Sequence, residues 1–149
     1  NDMIVSTHGR GIYKINLNPI HNLISSNNIK DKDMILSTGE FILPKFNDTH
    51  GEPIMESYEK VPISFYLNNS KKYSLIIENE NKEIWRMSGS GKKGINQFRW
   101  DLITEKNNSQ KPYYIHFNKF ISSGNYKLIL KTENIILEEK ITVNEFQNP

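Results

Sequence analysis

The chain has 149 residues, 36% of them hydrophobic, a formal net charge of +2 and no cysteine. A chain of this length buries about 70% of the surface it exposes when unfolded, enough for one domain with a true core. Scattered cations, with Lys71-Lys72 and Lys92-Lys93 the longest basic runs, argue against an electrostatic nucleic-acid footprint; the missing cysteines exclude disulfides and thiol chemistry, and no apolar run reaches the ~20 residues of a membrane-spanning helix.

Met3 to Thr7 is a short apolar strand and Ile12 to Leu17 a second, joined by the turn signal His8-Gly9-Arg10-Gly11. They predict a hairpin, which is marginal alone in water and needs a sheet to join. Asn18-Pro19 then suits a helix start, with Asn18 as cap and Pro19 in the first turn. Ser25 to Asp33 is polar and linker-like. Met34 to Leu43 is strand-like up to Pro44, and residues 45–60 read as loop.

From Val61 the period-2 pattern sharpens. Val61, Ile63, Phe65 and Leu67 alternate with Pro62, Ser64 and Tyr66. Turns at Asn68-Asn69-Ser70 and Asn79-Glu80-Asn81-Lys82 bracket a strand from Tyr73 to Glu78. A strand from Glu83 to Ser88 carries Trp85 and Met87. The run GSGKKG, residues 89–94, reads as a hairpin turn. It lacks the glycine and lysine spacing of a phosphate loop, and a strand rather than a helix follows it.

That strand is GINQFRWDL, residues 94–102. Asn96, Phe98, Trp100 and Leu102 fall on one face, and Ile95, Gln97, Arg99 and Asp101 on the other. An aromatic beside a carboxylate suggests a sugar site, and a glycosidase needs two carboxylates about 5 to 9.5 Å apart across a cleft. The competing expectation is that Trp100 plugs a core while Asp101 accepts backbone N–H groups of the next turn. The company of Phe98 and Leu102 favours the plug.

Residues 103–111 are polar, and Tyr113 to Phe117 reads as a strand. After the Ser122-Ser123-Gly124-Asn125 turn, Tyr126, Leu128 and Leu130 alternate with Lys127, Ile129 and Lys131. Tyr126 suits a tyrosine corner, its hydroxyl bonding back to nearby backbone. Ile135 to Val143 returns as a strand; its β-branched residues argue against a helix. About seven short strands after residue 34, at roughly ten-residue spacing, form the pattern of an all-β sandwich.

No nucleophile, metal or cofactor motif accompanies this pattern. His8, His21, His50 and His116 lack metal-ligand spacing, and no serine elbow is present. Tyr113, Tyr114, Phe117 and Phe120 form an aromatic cluster that reads first as core and second as a carbohydrate or protein contact. Asp48, Glu52 and Glu56 are the acids to examine if the chain lends carboxylates to a glycosidase site.

Several segments together resemble the C-terminal region of secreted BNR-repeat, sortilin-like β-propeller proteins, often labelled glycosyl hydrolases. DMIVSTHGRGIYKI resembles their closing propeller hairpin, and NPIHNL the helical turn after it. EIWRMSGSGKKGINQFRWDL is similar to their strand, turn and Trp-Asp-Leu strand, and SSGNYKLILKTENIILEEKITV to their final Gly-x-Tyr hairpin. The last half also resembles the Ig-like domain of flagellar-hook-capping type. Ser123 departs from the proline usual before Gly124, and residues 45–60 match no part of the pattern. The chain begins at Asn1 and ends at Pro149, and the expectation is a piece of a longer protein.

The resemblance implies a propeller hairpin at 1–17, a helical turn and linker at 18–33, and an Ig-like or fibronectin-III-like sandwich at 34–149. It implies a secreted, periplasmic or cell-surface bacterial protein with its own upstream propeller as partner. It transfers no catalytic residue and no cofactor. Trp85, Phe98, Trp100, Asp101, Gly124 and Tyr126 take structural places in it, as core, strand-end and turn positions.

Overall fold

The computed structural model describes residues 2–6, 11–25, 32–45, 60–105 and 119–146. Its elements are β1 (Asp2–Ser6), β2 (Ile12–Asn16), α1 (Asn18–Ser25), β3 (Met34–Thr38), β4 (Phe41–Ile42), β5 (Val61–Leu67) and β6 (Lys71–Asn79). They continue with β7 (Lys82–Gly91), β8 (Gly94–Trp100), β9 (Ile103–Glu105), β10 (Lys119–Phe120), β11 (Gly124–Lys131) and β12 (Ile136–Asn144). The fold is all-β, with one short helix.

Two sheets share the main core. One has strand order β3-β5-β8, the other β4-β12-β11-β6-β7. Alternation sends Val61, Ile63, Phe65 and Leu67 of β5 into that core. Leu75 and Ile77 of β6, Leu128 and Leu130 of β11, and Ile141 and Val143 of β12 meet them there. Each such side chain contributes about 1.5–3 kcal/mol before entropy.

The strand expected over 34–43 is two strands in different sheets. β3 pairs antiparallel with β5, whereas β4 pairs parallel with β12. The chain crosses over at Gly39, whose N–H donates to Pro62 O at 2.8 Å. A Cβ at Gly39 would come within 2.7 Å of Pro62 Cδ, so the close crossing needs glycine. Helix α1 lies beside β3, and the Asn22 side-chain amide donates to Leu36 O, covering part of that strand's outer edge.

The α1 cap sits two residues earlier than the sequence suggested. Asn16 Oδ1 accepts the Asn18 N–H at 2.8 Å, and Leu17 O accepts the first helical N–H groups. Asn18 is therefore inside the helix and does not cap it.

β6 and β7 form a hairpin closed by Glu80 and Asn81 at φ 48° and 63°. Two central residues at positive φ are the primed-turn geometry that matches strand twist. β7 and β8, by contrast, do not pair. The glycine run carries the chain from the five-stranded sheet to the three-stranded one, so it is an arch and not the expected hairpin turn. Asn96 holds it: its Oδ1 accepts the Lys92 N–H at 3.0 Å, and its amide donates to Lys92 O and Gly94 O. Gly91 is buried where a Cβ would strike Leu67 Cδ1.

Residues 103–105, expected in a polar loop, form β9 and pair with β10. β1 and β2 pair only with each other among the described strands.

Candidate functional site

Trp100 ends β8 on the core side and has no exposed surface. Its indole N–H donates to Ile103 O at 3.4 Å. The ring centroid lies 4.8 Å from that of Trp85 and 6.2 Å from that of Phe41, the latter edge-on. Trp100 comes from the three-stranded sheet, while Trp85 and Phe41 come from opposite edges of the other sheet. The indole thus ties the two layers together and offers no stacking face to a ligand.

Trp85 is partly buried and packs a second time, 5.7 Å from Phe98 at an interplanar angle of 33°. Both rings line a groove of about 580 Å³ between β7 and β8. Two acid–base partners at its rim are already matched. Arg86 donates to both Glu83 oxygens at 2.9 and 2.6 Å. That contact holds the Glu83 carboxyl below the usual glutamate range and raises Arg86. Asp101 Oδ1 accepts the Ile103 N–H at 3.3 Å.

Between Asp101 and Ile103, Leu102 adopts φ 58° while fully buried, and its carbonyl accepts the Ile121 N–H at 2.9 Å. A left-handed leucine is uncommon. Here the tight turn lets Trp100, Leu102 and Ile103 all be buried within four residues. One residue past Ile121, Ser122 O accepts the Tyr126 hydroxyl at 2.9 Å, and burial raises the pKa of Tyr126. Gly124 opens β11 at φ 149°, a conformation that side chains strain.

A polar cluster went unread in the sequence. Asp33, fully buried at its side chain, faces the Lys71 ammonium at 2.8 Å. Its oxygens also accept the Asn68 N–H at 3.0 Å and the Thr132 hydroxyl at 3.3 Å. Lys71 donates in addition to Asn68 Oδ1 at 2.7 Å. The cluster joins the residue before β3 to the β5–β6 turn and the end of β11. Every partner is satisfied, which is what a buried ion pair requires. In sequence Asp33 looks like any acid of a polar linker, because its partners lie 35, 38 and 99 residues away.

Glu139 was also missed. It occupies an inward position of β12, between Leu137 and Ile141, beside a groove of about 810 Å³ that Asn22, Met34, Leu36 and Leu137 also line. Burial raises its pKa. Its place in an apolar alternation was the available signal.

Of the expected aromatic contact set, Phe120 lies on β10, partly buried and packed against the core. Tyr113, Tyr114 and Phe117 lie outside the described residues, as do Asp48, Glu52, Glu56, His8, His50 and His116. His21 is exposed on α1. Among the described residues no group of three or more His, Asp or Glu converges to hold a metal ion, and no helix is long and apolar enough to cross a membrane. No known protein family, curated protein or solved structure matches this chain.

Proposed function

We propose that this chain is a non-catalytic accessory module, an Ig-like or fibronectin-III-like β-sandwich that docks on a β-propeller through its N-terminal hairpin. The strand orders support the sandwich. β3, β5 and β8 correspond to strands A, B and E; β12, β11, β6 and β7 correspond to G, F, C and C′, with β4 crossing over beside G. The Tyr126 hydroxyl, reaching back four residues at the start of the F-like strand, is the tyrosine-corner arrangement.

One observation carries the docking role: the hairpin has one apolar face and exposes large aliphatic side chains on the other as well. In its register Met3 faces Ile15 and Val5 faces Tyr13 on one side, while the other mixes Ile4 and Ile12 with Asp2, Ser6, Lys14 and Asn16, Lys14 pairing with Asp2 at 2.9 Å. Ile4 is 71% exposed and Ile12 79% exposed. A two-stranded ribbon with one apolar face, exposed isoleucines on the other and two edges unpaired among the described strands is suited to a larger sheet assembly. Residues 1–17 then complete a propeller blade, residues 18–33 lead from it into the sandwich, with α1 against β3 and Asp33 buried beside Lys71, and residues 34–149 form the sandwich. The resemblance to secreted BNR-repeat proteins supplies the propeller and a location outside the cytoplasm.

Hydrogen exchange tests the reading. In the 149-residue chain alone, amides of Asp2–Ser6 and Ile12–Asn16 exchange far faster than those of β5 and β11. When the chain is expressed with the propeller expected upstream of it, they become as slow as the core. Equal, fast exchange of the hairpin in both contexts would refute docking.

A further inference from the structure

We propose that the groove between β7 and β8 is a second binding site, which takes an extended acidic peptide segment of a partner as an added strand along β8. This site is independent of the hairpin. β8 ends the three-stranded sheet and β7 ends the five-stranded sheet, so among the described strands each is paired on one side only. The two unpaired edges flank the same groove. Direct passage of the chain from β7 to β8 leaves the lane beside β8 without a strand among the described residues.

Natural edge strands are usually short, bulged or broken by proline. β8 is seven residues long, contains no proline and pairs with β5 without a register shift. At about 3.4 Å per residue its edge is some 24 Å long, with Phe98 and Arg99 lining the groove itself. Main-chain pairing of this kind gives affinity, and alternate side chains of the added strand give specificity.

The groove selects those side chains. Its floor is Trp85, Met87 and Phe98, all partly buried. The Trp85 ring is already engaged by Trp100 and Phe98. It is therefore a wall for apolar side chains more than an open platform for a sugar ring. At the rim Glu83 is committed to Arg86, and Asp101 to the turn that follows it. Lys60 and Arg99 also line the groove, both exposed and with no carboxylate partner among the described residues. Among the described residues the uncommitted charge is therefore positive, and a strand alternating apolar with acidic residues complements it.

The probe is a blocked seven-residue peptide alternating glutamate and valine, with one central phenylalanine. The control peptide replaces each glutamate by lysine. In nuclear magnetic resonance titrations of the whole chain, the acidic peptide is expected to shift the amides of Gly94–Trp100 and the Trp85 indole saturably, and to weaken as salt rises. The Lys60→Glu, Arg99→Glu double variant is expected to lose the acidic peptide by roughly tenfold or more and to gain the lysine peptide. Unchanged melting of that variant certifies its fold. No saturable shift, equal binding of both peptides, shifts confined to β1 and β2, or binding of neutral oligosaccharides in place of the peptide would each overturn the proposal.

Discussion

Trp100→Ala removes the side chain that joins the two sheets. A buried indole withdraws about 150–250 Å² from water. At about 25 cal/mol per Å² that is roughly 4–6 kcal/mol, an upper bound because unfolded chains are already partly compact. The alanine keeps part of this burial, while the vacated volume adds a cavity cost. Loss of the contacts with Trp85 and Phe41 belongs to the same cost. The expected destabilisation is about 3–5 kcal/mol. With a urea slope near 2 kcal/mol per molar, the midpoint falls by about 2 M. Trp100→Phe, which retains a ring but loses the N–H bond to Ile103 O, is expected to lose less than half as much. Equilibrium urea unfolding followed by far-ultraviolet circular dichroism measures both without relying on the tryptophan signal. A midpoint for Trp100→Ala within 0.5 M of wild type, at unchanged slope (about 1 kcal/mol by the same conversion), would refute the bridging role.

Asp33→Ala leaves the Lys71 ammonium, 16% exposed at its side chain, without its carboxylate. Urea unfolding should register a loss of about 3 kcal/mol, more than for alanine at the exposed Glu83 of the Arg86 pair. Burial raises the folded pKa of Glu139 above its ordinary value of 4.5. The folded state then binds more protons than the unfolded state above that pH, so stability falls as pH rises from about 4.5 through the raised value. Glu139→Gln should flatten that decline in melting curves collected from pH 4 to 7, and an unchanged slope would contradict the assignment. Glu80→Asn places a residue tolerant of positive φ at the first turn position. A gain of a few tenths of a kcal/mol up to about 1 kcal/mol is expected in thermal melts, and a loss would rule out the primed turn.

Much of the strand pattern was readable because a strand's alternation is local. Val61 to Leu67 and Tyr126 to Leu130 show their inward faces in the order of their own residues. The turn Asn79 to Lys82 was readable for the same reason. The candidate groove was not. Trp85 and Phe98 stood out as aromatics, but nothing in the sequence placed their strands in different sheets with both edges open to one space. Lys60 and Arg99 look like ordinary surface cations until Glu83 and Asp101 are seen to be committed elsewhere.

The sequence by itself determined that this is a strand-rich chain with an aromatic core, because side-chain period and turn chemistry act over a few residues. Only the tertiary structure decided which strands pair, that Met34 to Leu43 divides between two sheets at Gly39, and that GSGKKG forms an arch. It also decided that Asp33 is buried against Lys71. Strand pairing and burial depend on partners tens of residues away, and a period of two is the same whichever neighbour a strand finds.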